Sequence, residues 1–190
     1  MNRRSAEETK KRIFQSAIKV FSQYGYNGAT MRMIAKEAGL SVGAVYLYFK
    51  DKEELSLFLL KEKISEIENR IKEALQGTSS PLEALKIYLK TSFQFARENR
   101  ELIIMHSREQ GFTFGLEIKR EFFKKEMELL KRLINEGIKA GDFRDCNQEE
   151  VAKLIMMLIR GYVLSVVVSP ENLLDENACF EIILNGLLKT

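Results

Sequence analysis

The sequence predicts an all-α protein in two parts: an N-terminal three-helix head, bridged by a long helix to a C-terminal helical body. Three observations predict it. Apolar residues recur at three- and four-residue spacing along most of the chain, and the alternation of a half-buried strand is nearly absent. The 190 residues include only two prolines, and 45% are apolar, enough to build a core. Charge is divided. Residues 1–52 hold ten Lys and Arg against four acids, a net of +6, whereas the remainder holds 20 against 23, a net of −3. A basic head on a mildly acidic body is the footprint of a polyanion-binding domain joined to something else.

Residues 1–8 read as a loose arm, with Arg3 and Arg4 available to phosphates or the minor groove, although an arm this short more often makes no contact. The first helix is predicted over residues 9–24, with Ile13, Ala17, Val20, Phe21 and Tyr24 facing inward and Gly25 stopping it. The stretch TMRMIAKEAGLSVGAVYLYFKDK, residues 30–52, then reads as two short helices joined by a tight turn. Thr30 is an N-cap, and Ile34, Ala35 and Ala38 share one face. Gly39 falls where the chain must take a positive φ. Ser41 caps the second helix, whose inward residues are Val45 and Phe49. This is the layout of a DNA-binding helix-turn-helix, whose second helix enters the major groove. An ordinary αα-corner has the same small residue, glycine and apolar stripe, so the spacing alone leaves both readings open.

Asp51 caps the long bridging helix, with Glu53 and Glu54 in its first turn. Its stripe is Leu55, Leu59, Ile64, Ile67, Ile71 and Leu75. The segment Gly77-Thr78-Ser79-Ser80-Pro81 breaks it, and Ser80-Pro81-Leu82-Glu83 reads as a capping box that opens the next helix. The predicted domains are therefore 1–51 and 52–190. Further helices are predicted over 81–98, 100–110, 116–140, 149–168 and 174–188, with GFTFG (111–115) as a loop and Asn147 as a start signal.

The runs GYNGAT before the motif and VYLYFKDKEEL after it resemble the N-terminal domain of the tetracycline-repressor (TetR) family of transcriptional regulators. The resemblance extends over residues 13–60 and is densest over 25–55. It implies that Val42, Gly43 and Ala44 meet base edges, and that Thr30, Ser41, Tyr46, Tyr48, Lys50 and Lys52 hold phosphates. Val42 and Ala44 offer only apolar contact, such as to a thymine methyl. Many relatives carry a longer polar residue at position 42, so direct readout here is thin. Arg32 is the motif residue best able to fork onto guanine. Val45 and Phe49 already fill the inner stripe, which makes Tyr46 a better phosphate contact than Tyr48.

The predicted helix over 149–168 is apolar on nearly every side beyond Leu154, and the last helix adds Phe180, Ile183, Leu184, Leu187 and Leu188. One small subunit cannot easily cover both. The resemblance implies a homodimer through these last two helices, with Gly161 and Gly186 allowing close approach, in preference to two core helices with incidental glycines. A dimer also places two heads a helical turn apart on a palindromic operator. The body is implied to sense a small lipophilic effector. Candidate lining residues are Tyr88, Phe93, Met105, His106, Phe112, Phe122, Met127, Met156 and Arg160, an apolar and adaptable set with few polar anchors. Residues at such spacing are also ordinary core. Resemblance to fatty-acid-responsive members makes a long-chain acyl-CoA a candidate effector. Ligand in the body is expected to favour a dimer whose heads no longer match the operator, so that the regulator, a repressor, leaves DNA.

Two other classes fit an all-α chain of this size. A small all-α enzyme lacks its chemistry here, with one His, no Gly-rich phosphate loop and no nucleophile beside a base. A helical protein-interaction module remains compatible with the composition, and salt-dependent DNA binding discriminates it. No cofactor or metal is implied, since Cys146 and Cys179 are far apart without C-x-x-C spacing. Residues 1–12 are polar and charged, and the apolar run 154–168 contains Arg160 and is shorter than the ~20 residues of a membrane helix. The expectation is a cytoplasmic protein without membrane contact.

Overall fold

The computed structural model describes residues 3–106 and 113–187. Among them all regular structure is helical, in the order α1 (Arg3–Gly28), α2 (Met31–Glu37), α3 (Val42–Tyr46), α4 (Lys52–Ala74), α5 (Pro81–Glu98), α6 (Arg100–Ile104), α7 (Leu116–Ala140), α8 (Gln148–Val168) and α9 (Glu176–Leu187), with a 3₁₀ turn at Pro170–Asn172. The chain forms two compact units, one of Met1–Ile64 with Glu101–Leu116, the other of Ser65–Arg100 with Glu117–Thr190.

In the first unit, Ile13, Ala17, Val20 and Phe21 of α1 are buried against Ile34 and Ala35 of α2, Val45 of α3 and Leu55 and Leu59 of α4. Leu102 and Met105 join this core from the later segment. Gly39 takes φ 63°, so the turn between α2 and α3 has the backbone that its sequence anticipates. An unanticipated brace holds it. Arg12 reaches from α1 to donate to the carbonyls of Ala38 and Gly39 at the C-terminal end of α2, where orphan carbonyls and the helix dipole favour a cation.

Several sequence expectations are corrected. The arm is not loose from Arg3 onward: α1 begins there, because Ala6, Glu7 and Glu8 are good helix formers and no Gly or Pro separates them from Thr9. Gly25 does interrupt the helix, at φ 69°, but helical turns resume to Gly28. Tyr24, expected inward, is 49% exposed; beyond the kink Tyr26 takes the inner place and lies 5.7 Å from Phe21. Of the helix expected over 100–110, the described part is α-helical over Arg100–Ile104 and passes into a π-type turn at Met105 and His106. Its remainder, with Phe112, lies outside the described residues. α9 starts at Glu176, not residue 174, because Asp175 accepts the N–H of Ala178 at 2.8 Å and caps it.

The other caps stand where the sequence puts them. Asp51 accepts from the Glu54 N–H and Glu54 accepts from the Lys50 N–H, each at 2.7 Å, as in a reciprocal capping pair. Ser80 and Asn147 cap α5 and α8.

In the second unit α5 packs on α8 and α9. Phe93 stacks on Tyr162 at 4.1 Å, both fully buried. Arg97 donates to the Tyr162 hydroxyl at 2.7 Å and pairs with Glu176, tying α5, α8 and the start of α9 together. α8 was expected to be covered on more than one face, and within one chain it is not. Glu150, Leu154, Met157, Gly161, Leu164 and Val168 are all exposed, at alternating four- and three-residue steps that trace one seam along the helix. Leu154, Met157 and Val168 are each at least 64% exposed. On α9 Ala178, Ile182 and Gly186 form a second outward row, with Ile182 at 74%. α8 is longer than the apolar run 154–168, because it begins at Gln148, and at 21 residues it alone among the described helices is long and apolar enough, by length and composition, to cross a bilayer.

Candidate nucleic-acid interface

The face around α3 is built from the turn outward. The Thr30 and Ser41 hydroxyls accept the N–H groups of Met33 and Ala44, at 3.2 and 3.1 Å, and so fix the first turns of α2 and α3. Each hydroxyl keeps its own proton, a donor that can reach a phosphate oxygen. Both residues are exposed, as are Arg32, Gly43 and Lys50. A Cβ on Gly43 would meet nothing within 4 Å, so the surface there is open. Val42 and Ala44 are half-buried.

The two tyrosines divide as their spacing implies. Tyr46 is 50% exposed, whereas Tyr48 is half-buried against the head core. Lys52 is not turned outward. Its ammonium donates to the carbonyls of Tyr26 and Ala29 and lies 4.3 Å over the Tyr26 ring. That placement makes it a brace for the end of α1 and the entry to α2. Lys52→Met is therefore expected to lower the melting temperature of the head, through loss of charge-assisted bonds worth about 1.5–3 kcal/mol. Tyr46→Phe should leave the melt unchanged and weaken all DNA sequences alike. Melting curves beside binding to operator and random duplex check the pair; equal melts for both variants would contradict the division.

Leu47, which the sequence reading passed over, is 81% exposed on this face. The signal was available. Val45 and Phe49 point inward, so 46 and 47 must lie outside, and Leu47 stands one turn beyond Gly43.

The expected effector residues are divided between the two compact units. Met105 and His106 belong to the first unit, where Met105 enters the head core and His106 stacks on Phe114 at 5.3 Å. Tyr88, Phe93 and Met156 are buried in the second unit, the Tyr88 hydroxyl 3.8 Å from the Met156 sulfur. Phe122 and Met127 are half-buried. Arg160, expected among the effector-lining residues, is exposed and lies 4.0 Å over the Phe123 ring, because its position on α8 falls beside the outward seam.

Glu126 was missed. It occupies the inward position of α7 in register with Leu130, Leu133 and Ile134, and is 5% exposed, with Oε2 lacking a hydrogen-bond partner. Burial pushes its carboxyl above the usual carboxylate range, against the lowering effect of the nearby Tyr88 hydroxyl. Burial, then the Glu126 charge, pushes the Tyr88 phenol well above its ordinary value. A carboxyl raised in the folded state favours folding while it is neutral, and that contribution is lost as pH rises through its raised value. Glu126→Gln should therefore melt higher than the parent at pH 7, with the gap closing toward the ordinary carboxylate pKa of about 4.3. A gap independent of pH would contradict this.

A family model described as "Bacterial regulatory proteins, tetR family" matches residues 13–57. A second, described as "YsiA-like protein, C-terminal region", matches residues 60–180. The chain is 29% identical over 136 residues to the fatty acid metabolism regulator protein of Bacillus subtilis (strain 168), covering 70% of each chain. Its fold superposes on fatty acid degradation regulator FadR from Bacillus halodurans with TM-score 0.74 and 26% identity, covering 94% of both chains. Against FadR from Bacillus subtilis in complex with stearoyl-CoA the TM-score is 0.73 at 25% identity, covering 92% of this chain and 95% of that one. With the helix-turn-helix inside the first match and most of the helical body inside the second, the chain belongs to the tetR family of bacterial regulatory proteins.

Proposed function

We propose that this family member is a transcriptional repressor that binds palindromic operator DNA as a homodimer and is released by a small lipophilic effector. The observation that carries the DNA-binding part is the open surface at Gly43, on a head of net positive charge that also exposes Thr30, Arg32, Ser41, Tyr46 and Lys50. A duplex backbone meets hydroxyl and cationic donors there, and a base edge can approach the helix without a side chain in the way. The outward rows on α8 and α9 support the dimer. A monomer would leave them wet, and the open space at Gly161 and Gly186 suits helices that approach closely.

The body supports an apolar effector through the buried Tyr88, Phe93, Met156 and Tyr162. A relative of similar fold was captured with stearoyl-CoA, which makes a long-chain acyl-CoA the first compound to test. Binding need only favour the dimer with lower DNA affinity, by its differential affinity for the two states. The protein is titrated on an operator selected from random duplexes, with acyl-CoAs of increasing chain length. Release of DNA by the long chains and not by free CoA is the expected result. Unchanged DNA affinity across the series would remove acyl-CoA as the effector while leaving DNA binding intact.

A further inference from the structure

Leu47 follows the last residue of α3 and is the most exposed of the large apolar side chains among the described residues, at 81%. Its N–H donates to the Gly43 carbonyl at 3.2 Å, so the two residues lie one turn apart on the same side of the helix. Gly43 has open space where a side chain would start. Tyr46 is half-exposed beside them, and Ser41 and Lys50 are exposed at either end of the α3 region. The face therefore has a cleared glycine and an isobutyl group next to it, framed by groups suited to phosphate.

A leucine side chain can make no hydrogen bond, so it cannot hold a phosphate or read a donor or acceptor on a base. In the major groove one base alone carries an apolar group at its edge, thymine with its C5-methyl. Val42 and Ala44 are half-buried and already partly covered within the head. Leu47 has most of its surface left to cover. We infer that Leu47 is a specificity-determining residue that reads the methyl group of one thymine in each half-site of the operator. This rests on the DNA-binding reading above and adds the base class to it.

The test removes the methyl and nothing else. An operator is first selected from random duplexes, and each thymine is then replaced singly by uracil, which pairs identically but lacks the C5-methyl. The parent protein and Leu47→Ala are titrated on every duplex. The expected result is one thymine per half-site whose replacement weakens the parent about four-fold, the effect of removing one buried methyl, with no further loss in Leu47→Ala. A melting curve equal to the parent's shows that the Leu47→Ala head is folded, and its salt slope should match the parent's because no phosphate contact is removed; Leu47→Gln provides a second variant with the same expectation. If uracil is tolerated at every position, or weakens parent and variant equally, the inference is overturned while DNA binding stands. If the parent selects no duplex at all, the proposed function falls and the inference with it.

Discussion

Placing a charge in the outward seam of α8, as Met157→Glu or Leu164→Glu, is expected to split the dimer and abolish operator binding. The two side chains are 64% and 49% exposed in the single chain. The substitution should therefore disturb the isolated fold by no more than about 0.5 kcal/mol, the usual range for surface changes. Across a twofold axis the same change puts two carboxylates into an apolar interface, and an unpaired buried charge is destabilising by about 3–5 kcal/mol. Dimer affinity should drop by two orders of magnitude or more, and operator affinity with it, because one head makes few base contacts. Sedimentation velocity and fluorescence anisotropy on the same samples check both. A charged variant that stays dimeric would show that the seam on α8 is not the interface.

Gly43→Leu is expected to spare the fold and destroy recognition. A Cβ at this position would meet nothing within 4 Å, and Gly43 sits inside α3 without a positive φ. Leucine is a better helix former than glycine, so the head should be as stable as the parent, or more so by up to about 1 kcal/mol. The added side chain would occupy the place that a base edge must take. Operator affinity should then drop by about 100-fold or more, the scale of one or two misread base pairs at about 1–3 kcal/mol each. Random duplex, held through phosphates farther out, should lose less. Melting curves and competition binding separate the two effects. A parallel loss of stability would mean that Gly43 serves the fold and not the groove.

Much of the fold was legible because its signals are local. The caps at Thr30, Ser41, Asp51, Ser80 and Asn147 stand where the sequence places them, since each is one polar side chain accepting a nearby backbone N–H. Gly39 adopts the positive φ expected of it at the turn between α2 and α3. What was hidden depends on residues far apart in sequence. Arg12 finds its partners 26 and 27 residues away, and Lys52 finds the carbonyls of Tyr26 and Ala29. Neither can be read from spacing. The family resemblance implied a phosphate contact for Lys52 and an effector-lining place for Arg160, and tertiary geometry gives both other surroundings. The candidate effector residues were the least legible. Aromatic and Met side chains at helical spacing have the same pattern in a core as in a pocket, and Met105 and His106 fall in a different compact unit from Tyr88 and Met156.

The stoichiometry and salt dependence of the complex with a selected palindromic duplex test the central claim most directly. Two chains should bind one duplex with half-site centres about 34–36 Å apart or a multiple of that, and affinity should drop steeply between about 50 and 200 mM salt as counterions are released. One chain per duplex, or an affinity indifferent to salt, would contradict the account.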